Sequence, residues 1–221
     1  MKSCQSNVYL VTQKLDKEYK PTNLENKRNP LDELAFILLS TQTSEKKYHR
    51  VYHNFKRAFP RWELVAEANV ADIQGAIWEG GLSLQKSRYL KQIVIQIKND
   101  FGELSLRKLK KMSTEGAETY LTSLPGIGIK TARCILLYSL DREVFPADVH
   151  CLRVMERLGW IDWGGRDSIK IADEAQECVP PELRRTLHIR LVQHGRRICR
   201  PKPLCSQCVI SGMCEHYNNA Q

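Results

Sequence analysis

The sequence contains no apolar run approaching the ~18–20 residues that a membrane-spanning helix needs. Its longest apolar stretches, residues 34–39 and 134–138, have the length of core-helix segments. The first residues, with Lys2 ahead of Val8, Tyr9, Leu10 and Val11, are too weakly apolar for a secretory signal. An intracellular setting is therefore expected (bacterial or archaeal cytoplasm, or the nucleus of a eukaryote), with no membrane partner. Period-2 alternation of the kind that marks strands is missing, and Val144-Phe145 is too short to count as a strand. There is no internal repeat and no low-complexity tract. Acidic residues are absent from 184–202, where seven basic residues fall: Arg184, Arg185, Arg190, Arg196, Arg197, Arg200 and Lys202.

What is present is ordinary in bulk and uneven in detail. The 221 residues are 42% hydrophobic and 27% charged, which excludes wholesale disorder and allows one large domain or two small ones. Lys and Arg number 34 against 25 Asp and Glu, a formal net charge of +9, so a polyanionic partner is favoured. Helical periodicity dominates. Leu90, Ile93, Val94 and Ile97 form one stripe; Ala117, Tyr120, Leu121 and Leu124 a second; Val51, Tyr52, Phe55, Ala58 and Phe59 a third; Leu183, Leu187 and Leu191 a fourth. Glycine and proline punctuate the intervals, and the pattern predicts an all-α protein of about ten short helices.

Four of the eight cysteines, Cys199, Cys205, Cys208 and Cys214, follow the spacing C-x5-C-x2-C-x5-C. Thiolates this close repel one another unless a cation holds them, and a Cys4 set suits tetrahedral zinc or a [4Fe–4S] cluster. A single CxxC with flanking cysteines at longer intervals favours the cluster, with zinc as the alternative. Cys134 and Cys151 fall in helical patterns and are read as buried fillers. His49 and His53, four apart, have nothing to complete a metal site and are read as packing or surface histidines.

Residues 124–132 read Leu-Pro-Gly-Ile-Gly-Ile-Lys-Thr-Ala and join one helix to the next. Gly126 and Gly128 around Ile127 allow a tight turn in which Ile127 plugs the space between helices. Backbone N–H groups at the following helix start can then hold a phosphate without reading sequence. Lys130 sits in the first turn after this hairpin, where the helix dipole and partial burial both disfavour its charge. It is either a nucleophile or a protonated phosphate ligand. Asp148 follows Pro146 and precedes a helical run, the position of an N-cap. It is either a plain cap or an ionised carboxylate able to stabilise an oxocarbenium-like sugar and assist proton transfer.

Together these residues resemble the helix-hairpin-helix DNA glycosylase superfamily, its endonuclease III branch most closely, over about residues 31–214. Lys130 matches the catalytic lysine of that family and residues 147–150 its aspartate segment, with Val149 where Thr is more usual. The four cysteines match its C-terminal [4Fe–4S] loop, with a first interval of five residues where six is usual. Residues 38–43 resemble the stretch whose Gln, here Gln42, fills the space left by an extruded base. Residues 80–82 resemble the loop whose Leu, here Leu82, wedges into the duplex. The resemblance implies two all-α domains: a six-helix barrel module over 24–142, and a discontinuous cluster domain over 1–23 and 143–221, with substrate in the cleft between Lys130 and Asp148.

It further implies a bifunctional DNA glycosylase and AP lyase acting as a monomer on double-stranded DNA that carries a damaged or modified base or an abasic site. DNA contacts are expected from Gln42, Leu82, Gly126, Ile127, Gly128, Thr131, His150, Arg153, Arg196 and Arg197. Binding should weaken with salt at a slope of roughly −0.9 per phosphate neutralised. Damaged pyrimidines are the leading substrates. Mismatched thymine or uracil and 5-substituted pyrimidines are alternatives, and Leu158-Gly159-Trp160 is similar to plant 5-methylcytosine glycosylases. A non-catalytic DNA-binding metalloprotein and a zinc-ribbon adaptor are the readings from other classes.

Overall fold

The computed structural model describes residues 4–20, 24–166 and 168–219. Among them there is no strand, and no helix is long and apolar enough to cross a membrane. The chain divides into two compact units, 26–142 and the discontinuous pair 1–25 with 143–221. Residue 23, where the sequence reading ends its N-terminal segment, lies outside the described residues.

The continuous unit holds seven α-helices. They are α2 (Pro30–Ser40), α3 (Glu45–Ala58), α4 (Trp62–Glu67), α5 (Val70–Ile77), α6 (Ser83–Phe101), α7 (Thr114–Ser123) and α8 (Ile129–Ser139). Helix α2 starts where sequence rules place it: the Asn29 side chain accepts the Leu31 N–H at 3.0 Å, and Pro30 occupies the first turn. Almost all of α2 is buried, and it packs on α3, α6 and α8. A helix that is apolar all round from Leu34 to Leu39 is buried in the middle of its unit. In α6 the expected stripe, Leu90, Ile93, Val94 and Ile97, is buried, each side chain contributing about 1.5–3 kcal/mol of transfer free energy.

The discontinuous unit is built on α1 (Cys4–Glu18), α9 (Val149–Arg157), α10 (Ile169–Cys178), α11 (Arg184–Arg197) and the short α12 (Glu215–Asn218). Helix α11 packs on α9 and α1, and a core including Leu15, Met155, Leu187 and Leu191 lies among them. The described residues thus hold twelve α-helices and four short 3-10 turns. The excess over the expected ten consists of pieces such as the six residues of α4 and the four of α12, too short to show a period. Cys134 and Cys151 are buried as read from the sequence. His49 stacks on Tyr48 at 4.1 Å between ring centroids, a packing role.

Candidate functional site

The continuous unit carries two features at its surface. The first is the hairpin between α7 and α8. Gly126 has φ +75°, and a Cβ there would lie 2.3 Å from the Tyr89 ring, so both backbone conformation and space demand glycine. The Ile127 N–H donates to the Leu124 carbonyl at 3.1 Å, and the Ile127 side chain is buried as the expected plug. Gly128 caps α8. A buried Arg133 donates to Glu118 at 2.8 Å and locks α8 to α7. Gly126 and Gly128 are exposed, whereas Ile127 and Thr131 are buried. Of the residues expected to contact DNA here, Ile127 and Thr131 pack their side chains inward, and the glycine backbone is the exposed part of the turn.

Lys130 lies partly buried in the first turn of α8, within electrostatic range of Glu33 on α2. Glu33 is fully buried. Its Oε2 accepts the Lys27 backbone N–H at 2.6 Å, and its Oε1 accepts from the Asn26 side chain. Burial pushes its pKa up to about 7, against the pull of those donors and of the Lys27 and Lys130 charges. Sequence reasoning missed Glu33. The available signal was the second of two adjacent acids, Asp32 and Glu33, in the first turn of a helix that runs apolar from Leu34 to Leu39.

The second feature is a pair of abutting loops. Gln42 (φ 47°) and Leu82 (φ 58°) both hold left-handed backbone that side chains rarely adopt. A Cβ at Gly81 would lie 2.0 Å from the Gln42 carbonyl oxygen, and the Gly81 N–H donates to Thr43 Oγ1 at 3.2 Å, so the two loops touch. Leu82 is 48% exposed, and Trp78, four residues earlier, is 70% exposed. Beneath them, Lys86 is buried and spends its ammonium protons on the Leu39 and Thr41 carbonyls and Thr43 Oγ1, which braces the end of α2 under Gln42. Burial lowers the Lys86 pKa to about 8. Neither Trp78 nor Lys86 stood out in the sequence. Lys86 looks like any helical lysine until its three acceptors, 43 to 47 residues away, are placed.

In the discontinuous unit Asp148 is the N-cap of α9. Its Oδ1 accepts the backbone N–H groups of His150 and Cys151, both at 2.9 Å. His150 is half-buried, and burial lowers its pKa. Arg153, expected on DNA, is 9% exposed. It donates to the carbonyls of Cys199 at 2.8 Å and Gly195 at 2.9 Å, with further bonds to Val149 and His150. This corrects the expectation: its donors are consumed in tying α9 to the end of α11 and the cysteine loop. Arg190 is likewise buried and bonded to Asp16 at 2.5 Å, and the half-buried Arg184 donates to the Val179 carbonyl at 3.0 Å. The exposed part of the basic run is Arg197, Arg200 and Lys202, while Arg196 is half-buried.

The four cysteines line one open pocket together with Arg157, Ile198, Pro203, Ser211, His216 and Tyr217. Burial raises the Cys208 pKa to about 11, and the other three cysteines add to that. Burial also raises that of Cys214. The set cannot ionise together without a cation among the sulfurs. Arg157 donates to Cys199 Sγ at 3.2 Å, and the buried His194, its pKa lowered to about 4 by burial, lies 3.5 Å from Cys208 Sγ with Tyr19 on its other nitrogen at 2.8 Å. These outer partners of the sulfurs were invisible in the spacing of the cysteines. A four-thiolate zinc site draws its sulfurs in to about 2.3 Å around one ion. A [4Fe–4S] cluster uses the same four-thiolate donor set, so this lining admits either group.

Known proteins bear on this geometry. A relative from Arabidopsis thaliana is 34% identical over 178 residues, covering 80% of this chain and 58% of that protein. Endonuclease III of Sulfolobus acidocaldarius is 34% identical over 158 residues, covering 69% of this chain and 66% of that one. The chain spans only 9% and 12% of two longer plant relatives, Protein ROS1A of Oryza sativa subsp. japonica and the Transcriptional activator DEMETER of Arabidopsis thaliana. The fold matches that in a solved structure of a non-covalent endonuclease III–DNA complex with a TM-score of 0.84 at 21% identity, over 100% of this chain and 99% of that one. Residues 35–181 match the family described as HhH-GPD superfamily base excision DNA repair protein, and the chain belongs to that superfamily.

Proposed function

We propose that this protein is a DNA glycosylase of base excision repair with an associated AP lyase activity, acting on damaged or modified pyrimidines in double-stranded DNA. The observation that carries the reading is the hairpin: a turn in which only glycine fits at 126 delivers Lys130 to the first turn of α8. Around it, the roles divide by chemistry. The exposed backbone of Gly126 and Gly128 holds a phosphate. Leu82 enters the duplex, and Gln42 offers its amide to the base left behind. The Lys130 amine, once deprotonated, attacks C1′ of the sugar as the C1′–base bond breaks, and the base leaves with that electron pair and takes up a proton. The nitrogen then sheds a proton, the C1′–O4′ bond opens with O4′ protonated, and a protonated imine joins C1′ to the lysine. Abstraction of a C2′ proton then expels the 3′ phosphate and cuts the strand. Asp148, whose Oδ1 accepts two backbone N–H groups, balances positive charge on the sugar and takes part in the proton transfers.

The four-cysteine loop is proposed to hold a [4Fe–4S] cluster, with zinc as the alternative that iron analysis decides. The need of four clustered, partly buried thiols for a cation supports a metal centre there, and the single CxxC with flanking cysteines at longer intervals favours the cluster. When bound, such a group cross-links residues 199–214 into a rigid surface from which Arg197, Arg200 and Lys202 reach backbone phosphates.

Borohydride trapping on duplexes with an abasic site or an oxidised pyrimidine tests the reading. Wild type gives a covalent adduct, and Lys130→Gln gives none. Asp148→Asn slows the reaction by about 10²–10⁴. An equal adduct from Lys130→Gln moves the nucleophile elsewhere. Lesion DNA that stays intact while binding is tight and salt-sensitive leaves a non-catalytic DNA clamp in its place.

A further inference from the structure

Helices α9 and α11 pack against each other, and together they deliver three metal-ligating side chains to one spot. Asp148 caps α9, Cys151 stands three residues on, and His188 comes from α11. A carboxylate oxygen, the Cys151 sulfur and an imidazole nitrogen all lie within 4.8 Å of one another. Cys151 and His188 are buried and Asp148 is half-buried, so access is from the carboxylate side. The imidazole is set by the Phe145 ring, which meets it edge-on at 6.0 Å and 85°. The close approach of the two helices depends on Gly195, where a Cβ would lie 2.8 Å from the Cβ of His150.

One carboxylate, one thiol and one imidazole make a donor set suited to zinc and similar borderline divalent ions. Bonds of about 2.0–2.3 Å in tetrahedral geometry hold ligand atoms roughly 3.3–3.8 Å apart, so the observed separation closes with side-chain movements of about 1 Å. The two backbone bonds to Asp148 Oδ1 are compatible with this, because a carboxylate has about four lone-pair sites. We propose that Asp148, Cys151 and His188 form an inhibitory zinc site. The ion is held by three protein ligands with water in the fourth position. Binding releases the Cys151 thiol proton to solvent, changes no oxidation state, and withdraws the Asp148 carboxylate from the sugar. The inhibition rests on the role proposed above for Asp148; the binding does not.

The test uses the full chain with its cysteine loop loaded. It is titrated with cobalt(II) and with zinc(II) and followed by difference absorption, equilibrium dialysis and cleavage of lesion duplexes. Wild type binds one ion, shows a cobalt–thiolate charge-transfer band, and is inhibited by zinc until a chelator is added. Cys151→Val fills the same buried space without a ligand. It keeps the cleavage rate and iron content of wild type, lacks the band, and needs at least about 100-fold more zinc for inhibition, since even an outer-shell partner of a metal is worth about 10–100-fold. If Cys151→Val melts early, Cys151→Ala carries the same comparison. Equal zinc sensitivity in the variant, or a cobalt complex without the thiolate band, overturns the site. Wild type that binds cobalt through Cys151 yet leaves lesion DNA intact sinks the enzyme reading and leaves the metal site standing.

Discussion

The hairpin and the paired loops of the continuous unit solve the same backbone problem in opposite ways. At the hairpin the left-handed residue is Gly126, which takes φ +75° without a steric penalty. In the loops the left-handed residues are Gln42 and Leu82, which carry side chains at a cost of about 1–2 kcal/mol each. Glycine at 126 is dictated by the Tyr89 ring, so there the chain gives up a side chain to let backbone come forward. At 42 and 82 it accepts strain to keep a side chain at the surface. Strain retained at an exposed position points to function more directly than strain relieved by glycine.

Substitutions can break this contrast at either end. The largest expected effect is at the hairpin: Gly126→Ala adds a methyl against Tyr89 and a left-handed penalty, and should lower stability by about 3 kcal/mol, read from chemical denaturation. Next is Glu33 beneath it. Its pKa rises from 4.5 unfolded to about 7 folded, so the folded protein holds the extra proton between those values. Raising the pH through that window therefore removes stability, by up to about 3 kcal/mol, and Glu33→Gln should flatten the slope between pH 4.5 and 7.

On the loop side, Lys86→Met strips three acceptors of their donor and should cost about 1–2 kcal/mol. It should also weaken discrimination for lesion over undamaged duplex in a binding assay, because Gln42 loses its brace. The smallest effect has the opposite sign. Leu82→Gly relieves left-handed strain and should raise stability by up to about 1 kcal/mol while lesion processing falls, a split seen by pairing thermal melts with cleavage assays. If Leu82→Gly lowers stability and cleavage in parallel, the leucine is a packing residue and the contrast drawn above fails.

Much of this molecule was legible before any coordinates. The stripes through Leu90 to Ile97 and through Val51 to Phe59 were readable because neighbours on a helix are three or four residues apart in sequence. The Asp148 cap and the hairpin plug were readable for the same reason, since each makes its bonds within three residues. Arg153 shows where that reading stops. Its arginine looked like a phosphate ligand from one turn of helix, and its two shortest acceptor bonds lie 42 and 46 residues away.

Sequence alone determined the helical class, the net charge of +9, the cysteine spacing and the glycine turn with its following lysine, because composition, periodicity and covalent spacing are properties of short stretches of chain. Only the tertiary structure decided which arginines are spent inside, that Lys86 braces the Gln42 loop, that Glu33 lies near Lys130, and that Cys151 meets Asp148 and His188. Those arrangements depend on helices from distant parts of the chain burying their apolar faces against one another. Such burial sets the positions of polar side chains only after the packing is complete.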